Sequence, residues 1–209
     1  MAERKHALLV IIQGMDASGK DSLIRKVFGA MNPMGTHAVG FKAPTEEEAA
    51  HDFLWRIHKH TPAKGTVSVF NRSQYEDLIV PAIHQTLSEA DWKARVRSIN
   101  DFEHHLTHNG NTHILKIYLH ISHKKQVKKL KERIELPRKM WKYNADDLLE
   151  STKWDAYMAV YERIFRECRE APWTIIPADK KWAKNLLVAE AVVKLLRSLK
   201  MKFPGLKKG

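Results

Sequence analysis

"QGMDASGKDS", Gln13 to Ser22, follows the apolar run "ALLVII" (7–12) and leads into "LIRKVF" (23–28). A β-branched apolar run, a glycine loop and a helical pattern in that order predict a strand–loop–helix unit, and this unit decides the fold. Gly14, four residues, Gly19 and Lys20 satisfy the pattern G-x-x-x-x-G-K. Glycines let the backbone turn back on itself, so that consecutive N–H groups point inward at phosphate oxygens. The following helix adds its positive N-terminal end, and Lys20 adds a full charge. Gly14, Ala17, Ser18, Gly19, Lys20 and Asp21 are therefore candidate phosphate-binding positions. Asp21 stands where such loops usually carry the serine or threonine that holds the metal. Mg²⁺ takes oxygen ligands, often one or two carboxylates plus phosphate oxygens and water. Asp16, inside the loop, is the first candidate for that ion, with Ser18 and Ser22 behind it.

Working outward, the chain alternates strands and helices. Helix is expected over 20–31, a short strand over 37–41, and a helix begun by Thr45 with Glu48 at the capping-box position. "TVSVF" (66–70) reads as a strand, 75–84 and 88–108 as helices, and "HILKIYLHI" (113–121) as the most strand-like run in the chain. A basic helix over about 123–135 is broken at Pro137. An amphipathic helix over 154–169, the strand "WTIIP" (173–177) and a helix over 181–200 complete the pattern. Trp154, Tyr157 and Tyr161 recur at helical spacing and are read as core-facing. Short strands separated by helices argue for a parallel sheet covered on both faces. The expectation is one α/β domain over 1–209, a three-layer parallel sheet with a phosphate loop and a helical lid at about 123–153. The tail "KFPGLKKG" (202–209) is expected to fray.

The 209 residues are 44% hydrophobic, enough for one packed domain. No apolar stretch is long enough to span a membrane, and the N-terminus lacks the layout of a signal peptide. The single cysteine, Cys168, excludes an intrachain disulfide and fits a cytoplasmic protein. Its thiol is read as a small, partly buried helix side chain. Lys and Arg number 36 against 24 Asp and Glu, a net charge of +12, which points to a polyanionic partner. The twelve histidines form no HExxH and no cysteine–histidine array, which argues against a structural zinc site.

After "TVSVF" comes "NRSQYED" (71–77). In phosphate-loop enzymes a carboxylate often ends a neighbouring strand and assists the metal. Here that end is Asn71, and the acids are displaced to Glu76 and Asp77. Arg72 falls at the strand's C-terminal edge, where open parallel sheets bind ligands; its role there is either to neutralise a transferring phosphate or to form a surface ion pair with one of those acids.

The stretches "GMDASGKDS", "FKAPTEEE", "FNRSQYEDLIVP", "RIELPRKMWKYNADD", "KWDAYMAVYE" and "APWTIIPADKKW" together resemble successive motifs of the polyphosphate kinase 2 family, in order over Gln13 to about Val193. The likeness is greatest to members that phosphorylate AMP and ADP with polyphosphate. The resemblance implies a fold similar to thymidylate kinase with a helical lid, Mg²⁺ dependence, a cytoplasmic location and assembly into dimers or tetramers. It implies that Asp16, Gly19 and Lys20 are phosphate-loop residues, with Asp21 normal for the family. It places Arg72 in the second motif with Glu76 or Asp77 near the metal, and it draws Arg133, Lys139 and Lys142 from the lid. Two departures stand out: the first strand starts almost at once, and "CRE" (168–170) replaces the usual Thr-Ser-Thr before "APW".

"HKKQVKKLKERIELPRKMWKY" (123–143) is dense in cations. Polyphosphate carries about one charge per phosphate and no bases, so a track of Lys and Arg suffices to bind it by releasing counterions. Trp141 and Tyr143 can stack on a base, but packing of the lid against the core is the favoured reading. The expected reaction is reversible phosphoryl transfer between polyphosphate and AMP or ADP, with Asp16, Lys20 and Arg72 at its centre. The alternatives are an ATP-dependent nucleoside monophosphate kinase and a non-enzymatic polyanion or nucleic-acid binder. No nucleic-acid-binding motif is apparent.

Overall fold

The computed structural model describes residues 2–205; the last half of the tail expected to fray, 206–209, lies outside them. Five strands form one sheet: β1 (Ala7–Gln13), β2 (Thr36–Gly40), β3 (Val67–Asn71), β4 (Thr112–His120) and β5 (Trp173–Pro177). They run in the order β2-β3-β1-β4-β5, every pair parallel. All seven residues of β1 are buried, as a central strand covered on both faces requires. Val10, at its centre, lies opposite Val69 of β3 and Leu115 of β4.

The helices are α1 (Lys20–Val27), α2 (Glu46–Ala49), α3 (Trp55–His58), α4 (Glu76–Ile83), α5 (Glu89–Gly110), α6 (His123–Glu135), α7 (Pro137–Met140), α8 (Asp146–Ser151), α9 (Trp154–Glu167) and α10 (Lys181–Ser198). They flank the sheet, with α1 packing on α10 and α4 on α9. None of the described helices is long and apolar enough to cross a membrane. The capping box at Thr45 and Glu48 forms as expected. The first helix stops earlier than its pattern suggests, passing into a 3-10 turn at Phe28–Ala30. Helix α3 has no counterpart in the sequence reading, because a single turn is too short to show a period.

Pro81 sits inside α4 without breaking it. Proline cannot donate back to the carbonyl four residues earlier, Asp77 O, and Arg95 Nη1 takes that acceptor instead. Tyr161 is buried, and Trp154 and Tyr157 pack half-buried against the core, as their spacing suggests. Trp141 and Tyr143 do the opposite of what was expected: they are 77% and 53% exposed, on the stretch between α7 and α8, and do not pack the segment onto the core. Cys168 is fully buried at the C-cap of α9, where burial pushes its thiol up to about 12, so it is inert.

The connections from β1 and β3 leave β1 flanked by β3 and β4, so the strand order reverses at β1. The crevice beyond its C-terminal end is the place where open α/β sheets bind ligands.

Candidate active site

The loop after β1 is held in a shape that only a few residues tolerate. Gly14 has φ 148°, and a Cβ there would come within 2.7 Å of Leu119 O. Gly19, the N-cap of α1, has φ 90°. Ala17 and Arg72 are non-glycine residues at φ 61° and 65°, a conformation that persists only where surrounding contacts enforce it.

Turning N–H groups inward leaves the loop's carbonyls facing outward, and buried carbonyls need donors. Every carbonyl from Gly14 to Gly19 receives a side chain. Lys20 Nζ donates to Gly14 O at 2.7 Å and to Met15 O at 3.3 Å. Gln126 and Lys129 of α6 reach Asp16 O and Ala17 O at 3.2 and 3.1 Å. Lys184 of α10 donates to Ser18 O at 3.2 Å and Gly19 O at 2.8 Å. Three lysines thus clamp the loop and line the same cleft.

Lys184, Lys129 and Gln126 were not singled out in the sequence. A signal existed for Lys184: it occupies the buried 184, 188, 192 face of α10, where a lysine needs a special reason. Burial, helped by Lys129, Lys181 and Lys20, pulls its ammonium down to about 8. Burial likewise lowers Lys20, partly offset by Asp16.

The second motif meets the loop through Arg72. Its Nη2 donates to Asp16 Oδ1 at 2.8 Å and its Nη1 to Glu76 Oε2 at 3.3 Å. Burial would raise the Asp16 carboxyl, but Lys20, Arg72 and Arg133 together hold it below the ordinary carboxylate value. Burial wins at Glu76, which is raised despite Arg72 and Lys20. Asp77, the other acid proposed for the metal, points elsewhere: its carboxylate accepts from Arg56 Nη2 at 3.3 Å, and Arg56 Nη1 in turn donates to Lys42 O. Glu76, not Asp77, is the acid that shares a partner with Asp16. Successive residues on a helix point about 100° apart, so only one of the pair can face the loop.

Asp21 accepts from Asn71 Nδ2 at 2.7 Å and faces Lys142 Nζ at 3.6 Å. Against the upward push of partial burial, Asn71 and Lys142 keep its carboxyl low. Ser18 is fully buried, with its Oγ close to Gly14, and lines neither cleft, so its side chain is not placed to hold a metal or phosphate. Ser22 Oγ donates to Gly19 O at 3.0 Å.

The three cations expected from 123–153 all reach the site, each paired with a carboxylate. Arg133 pairs with Asp147 of α8, Lys139 with Glu132 of α6, and Lys142 with Asp21. Two clefts open here. One, of about 780 Å³, includes Lys125, Lys129, Lys139, Lys181 and Lys184 in its walls. The other, of about 1020 Å³, adds Trp141, Asn144, Tyr157 and His84. They share Asp16, Asp21, Lys42, Arg72, Arg133 and Lys142.

The donor set fits a hard divalent cation. Asp16 is 37% exposed and faces both clefts with an ionised carboxylate among the groups that would hold phosphate. Glu76 is 16% exposed and reaches the loop through Arg72, which suits it to holding the guanidinium in place.

The model of the family "Polyphosphate kinase 2" matches residues 1–204. An AMP/ADP-polyphosphate phosphotransferase of Meiothermus ruber is 44% identical over 97% of this chain and 76% of its own length. An ADP-polyphosphate phosphotransferase of Rhodopseudomonas palustris is 40% identical over 97% of this chain and 75% of its own. The crystal structure of polyphosphate kinase 2 from Arthrobacter aurescens TC1 superposes with a TM-score of 0.95, at 42% identity, over 100% of this chain and 75% of that one. A deoxyadenosine kinase of M. mycoides, 15% identical with a TM-score of 0.50, shares the phosphate-loop kinase fold. Loop, sheet order and relatives agree: the chain is a phosphotransferase and belongs to the polyphosphate kinase 2 family.

Proposed function

We propose that the protein transfers a phosphoryl group reversibly between inorganic polyphosphate and AMP or ADP, with Mg²⁺ as its metal, in the cytoplasm. The observation that carries this reading is the pair of clefts meeting at Asp16 and Arg72: one is walled largely by lysines, and the other adds Trp141, Tyr157 and Asn144 beside the acids Asp146, Asp147 and Glu150. The lysine cleft suits a chain of phosphates without bases. The second cleft suits a nucleotide, with the exposed ring of Trp141 available to a base and the phosphate directed to the shared cations. The names of the relatives support both substrates.

In the forward direction an oxygen of the nucleotide's terminal phosphate attacks the end phosphorus of polyphosphate. The anhydride bond to the next phosphate breaks, and the shortened chain leaves as an anion. The attacking oxygen is already ionised at neutral pH, so no strong base is required. The chain's work is alignment and charge neutralisation. Lys20 and the loop N–H groups hold the donor end, and Arg72, fixed between Asp16 and Glu76, faces the transferring group. Arg133 and Lys142 border both clefts and neutralise either substrate. Asp16 would hold Mg²⁺, which when bound would supply further charge neutralisation at the phosphate oxygens. The helices α6, α7 and α8 act as a lid that shields this region from water. Trp182, Leu186 and Val193 leave an apolar stripe exposed along α10, which supports assembly into a homo-oligomer.

A donor exchange tests the reading. AMP or ADP is incubated with polyphosphate, and AMP separately with ATP, and the products are resolved by anion-exchange chromatography. ADP and ATP are expected from polyphosphate; turnover with ATP alone would make the protein an ATP-dependent monophosphate kinase.

A further inference from the structure

Away from the clefts, the last two turns of α5 carry the run "EHHLTHNG", with His104 and His108 one helical turn apart. Glu170, from the segment between α9 and β5, packs beside them. His104 Nδ1 lies 3.1 Å and His108 Nδ1 3.9 Å from Glu170 Oε1, and the two imidazole rings stack at 3.8 Å between centroids. One ligand-capable atom from each of the three falls within 4.8 Å of the others. Among the described residues, no other group of three histidine, cysteine or acidic side chains converges in this way.

The geometry points to a surface site for a zinc-class divalent cation on His104, His108 and Glu170. Two imidazoles and a carboxylate are the donor types that zinc takes, with bonds of about 2.0–2.2 Å that set ligand atoms about 3.3 Å apart around a tetrahedron. The His104–Glu170 separation already meets that spacing. The remaining contraction, about 1.5 Å at most, lies within a ring rotation of side chains that are half exposed. Mg²⁺ is a poor occupant, because it prefers oxygen ligands in a near-ideal octahedron, whereas imidazole suits zinc, copper and nickel. The exposed side leaves room for water as the remaining ligand.

Helix placement is already secured, since α5 is a long helix and Thr107 Oγ1 also donates to Glu170 Oε1 at 3.4 Å. The site lies on the side of the sheet where strands begin: α5 ends just before β4, and Glu170 stands just before β5. The phosphate loop follows the other end of β1, and seven strand residues put roughly 20 Å between the two edges. A bound ion would therefore staple the end of α5 to the entry of β5 without touching the transferring phosphate. The sequence hid the site because Glu170 comes 66 positions after His104.

The test uses the full chain, freed of metal and kept in millimolar Mg²⁺, titrated with Zn²⁺ against a chromophoric zinc indicator. Nucleotide and polyphosphate are left out, since both chelate zinc. One zinc per chain is expected, insensitive to Mg²⁺, and Co²⁺ in place of zinc should give visible d–d absorption clearly more intense than that of the free aquo ion. His104→Ala with His108→Ala, and separately Glu170→Gln, should weaken binding by more than about tenfold. His6→Ala with His113→Ala, which removes the other close histidine pair, should leave it unchanged, as should all these variants leave phosphoryl transfer. Matching melting curves of the metal-free proteins confirm that the variants fold. Undiminished zinc binding in both the double-alanine and the Glu170→Gln proteins overturns the proposal. So does a wild-type chain that takes up no zinc, which would leave His104 and Glu170 as a hydrogen-bonded pair only.

Discussion

Asp16 touches more of the proposed chemistry than any other side chain, since its carboxylate holds Arg72 and faces both clefts. Asp16→Asn keeps the shape but removes the charge that would hold Mg²⁺, so turnover should fall by about a hundredfold or more with an unchanged melting temperature. Wild-type-like turnover across a Mg²⁺ titration would take Asp16 out of the metal site. Lys184 offers a pH signature. Below about pH 8 its ammonium is charged and contributes to anion binding; above that it becomes neutral. The kcat/KM for polyphosphate should therefore decline as pH rises through about 8, and Lys184→Met should flatten that limb. Stability runs the other way. Burial lowers the folded-state value below the ordinary 10.5, so the unfolded chain holds more protons between about 8 and 10.5. The stability contribution of Lys184 accordingly rises across that window, and chemical denaturation at a series of pH values reads it.

At the scale of elements, α6 joins the phosphate loop to the segment that follows it. Gln126 and Lys129 anchor its first turns to Asp16 O and Ala17 O, and Arg133 pairs its last turn with α8. The cations beyond α6 are not equivalent. Lys139 borders the lysine cleft alone, whereas Arg133 and Lys142 border both. Lys139→Ala is expected to raise KM for long polyphosphate and leave KM for the nucleotide unchanged, while Arg133→Ala raises both. Each phosphate contact removed should make the log–log salt dependence of polyphosphate binding shallower by roughly 0.7. Anisotropy of labelled polyphosphate at several salt concentrations measures this. Equal slopes in wild type and Lys139→Ala would return Lys139 to plain surface charge.

For the molecule as a whole, the second motif is fixed from behind by a fully buried ion pair. Lys116 of β4 donates to Glu103 of α5 at 2.8 Å, to Tyr75 Oη at 3.0 Å and to Cys168 O at 3.0 Å. Tyr75 Oη donates to Glu103 Oε1 at 2.6 Å. All three ammonium protons find acceptors, so the pair joins α5, β4, the end of α9 and the entry of α4. Removing one partner strands a buried charge: Lys116→Met alone should cost about 3–5 kcal/mol, whereas Lys116→Met with Glu103→Leu should recover much of it. Urea denaturation of the single and double variants compares them. A double variant no more stable than the single one would show that this group holds the core by more than charge pairing.

The sequence by itself determined the strand–loop–helix unit, the alternation that makes the sheet parallel, and the phosphate loop's residues. These are local: periodicity, turn residues and spacing report them without reference to distant chain. The dense cationic stretch after β4 was legible as well, but Arg133, Lys139 and Lys142 were picked out within it only by the resemblance to the family's motifs. Tertiary structure alone shows which of Glu76 and Asp77 shares Arg72 with Asp16, because Arg56, 21 positions before Asp77, draws that carboxylate away. It alone revealed Lys184, whose loop contacts span 165 and 166 positions. It also exposed Trp141 and Tyr143, for which packing of the lid against the core had been the favoured reading over stacking on a base. In each case the outcome depends on which distant groups compete for a side chain, and a one-dimensional pattern carries no record of that competition.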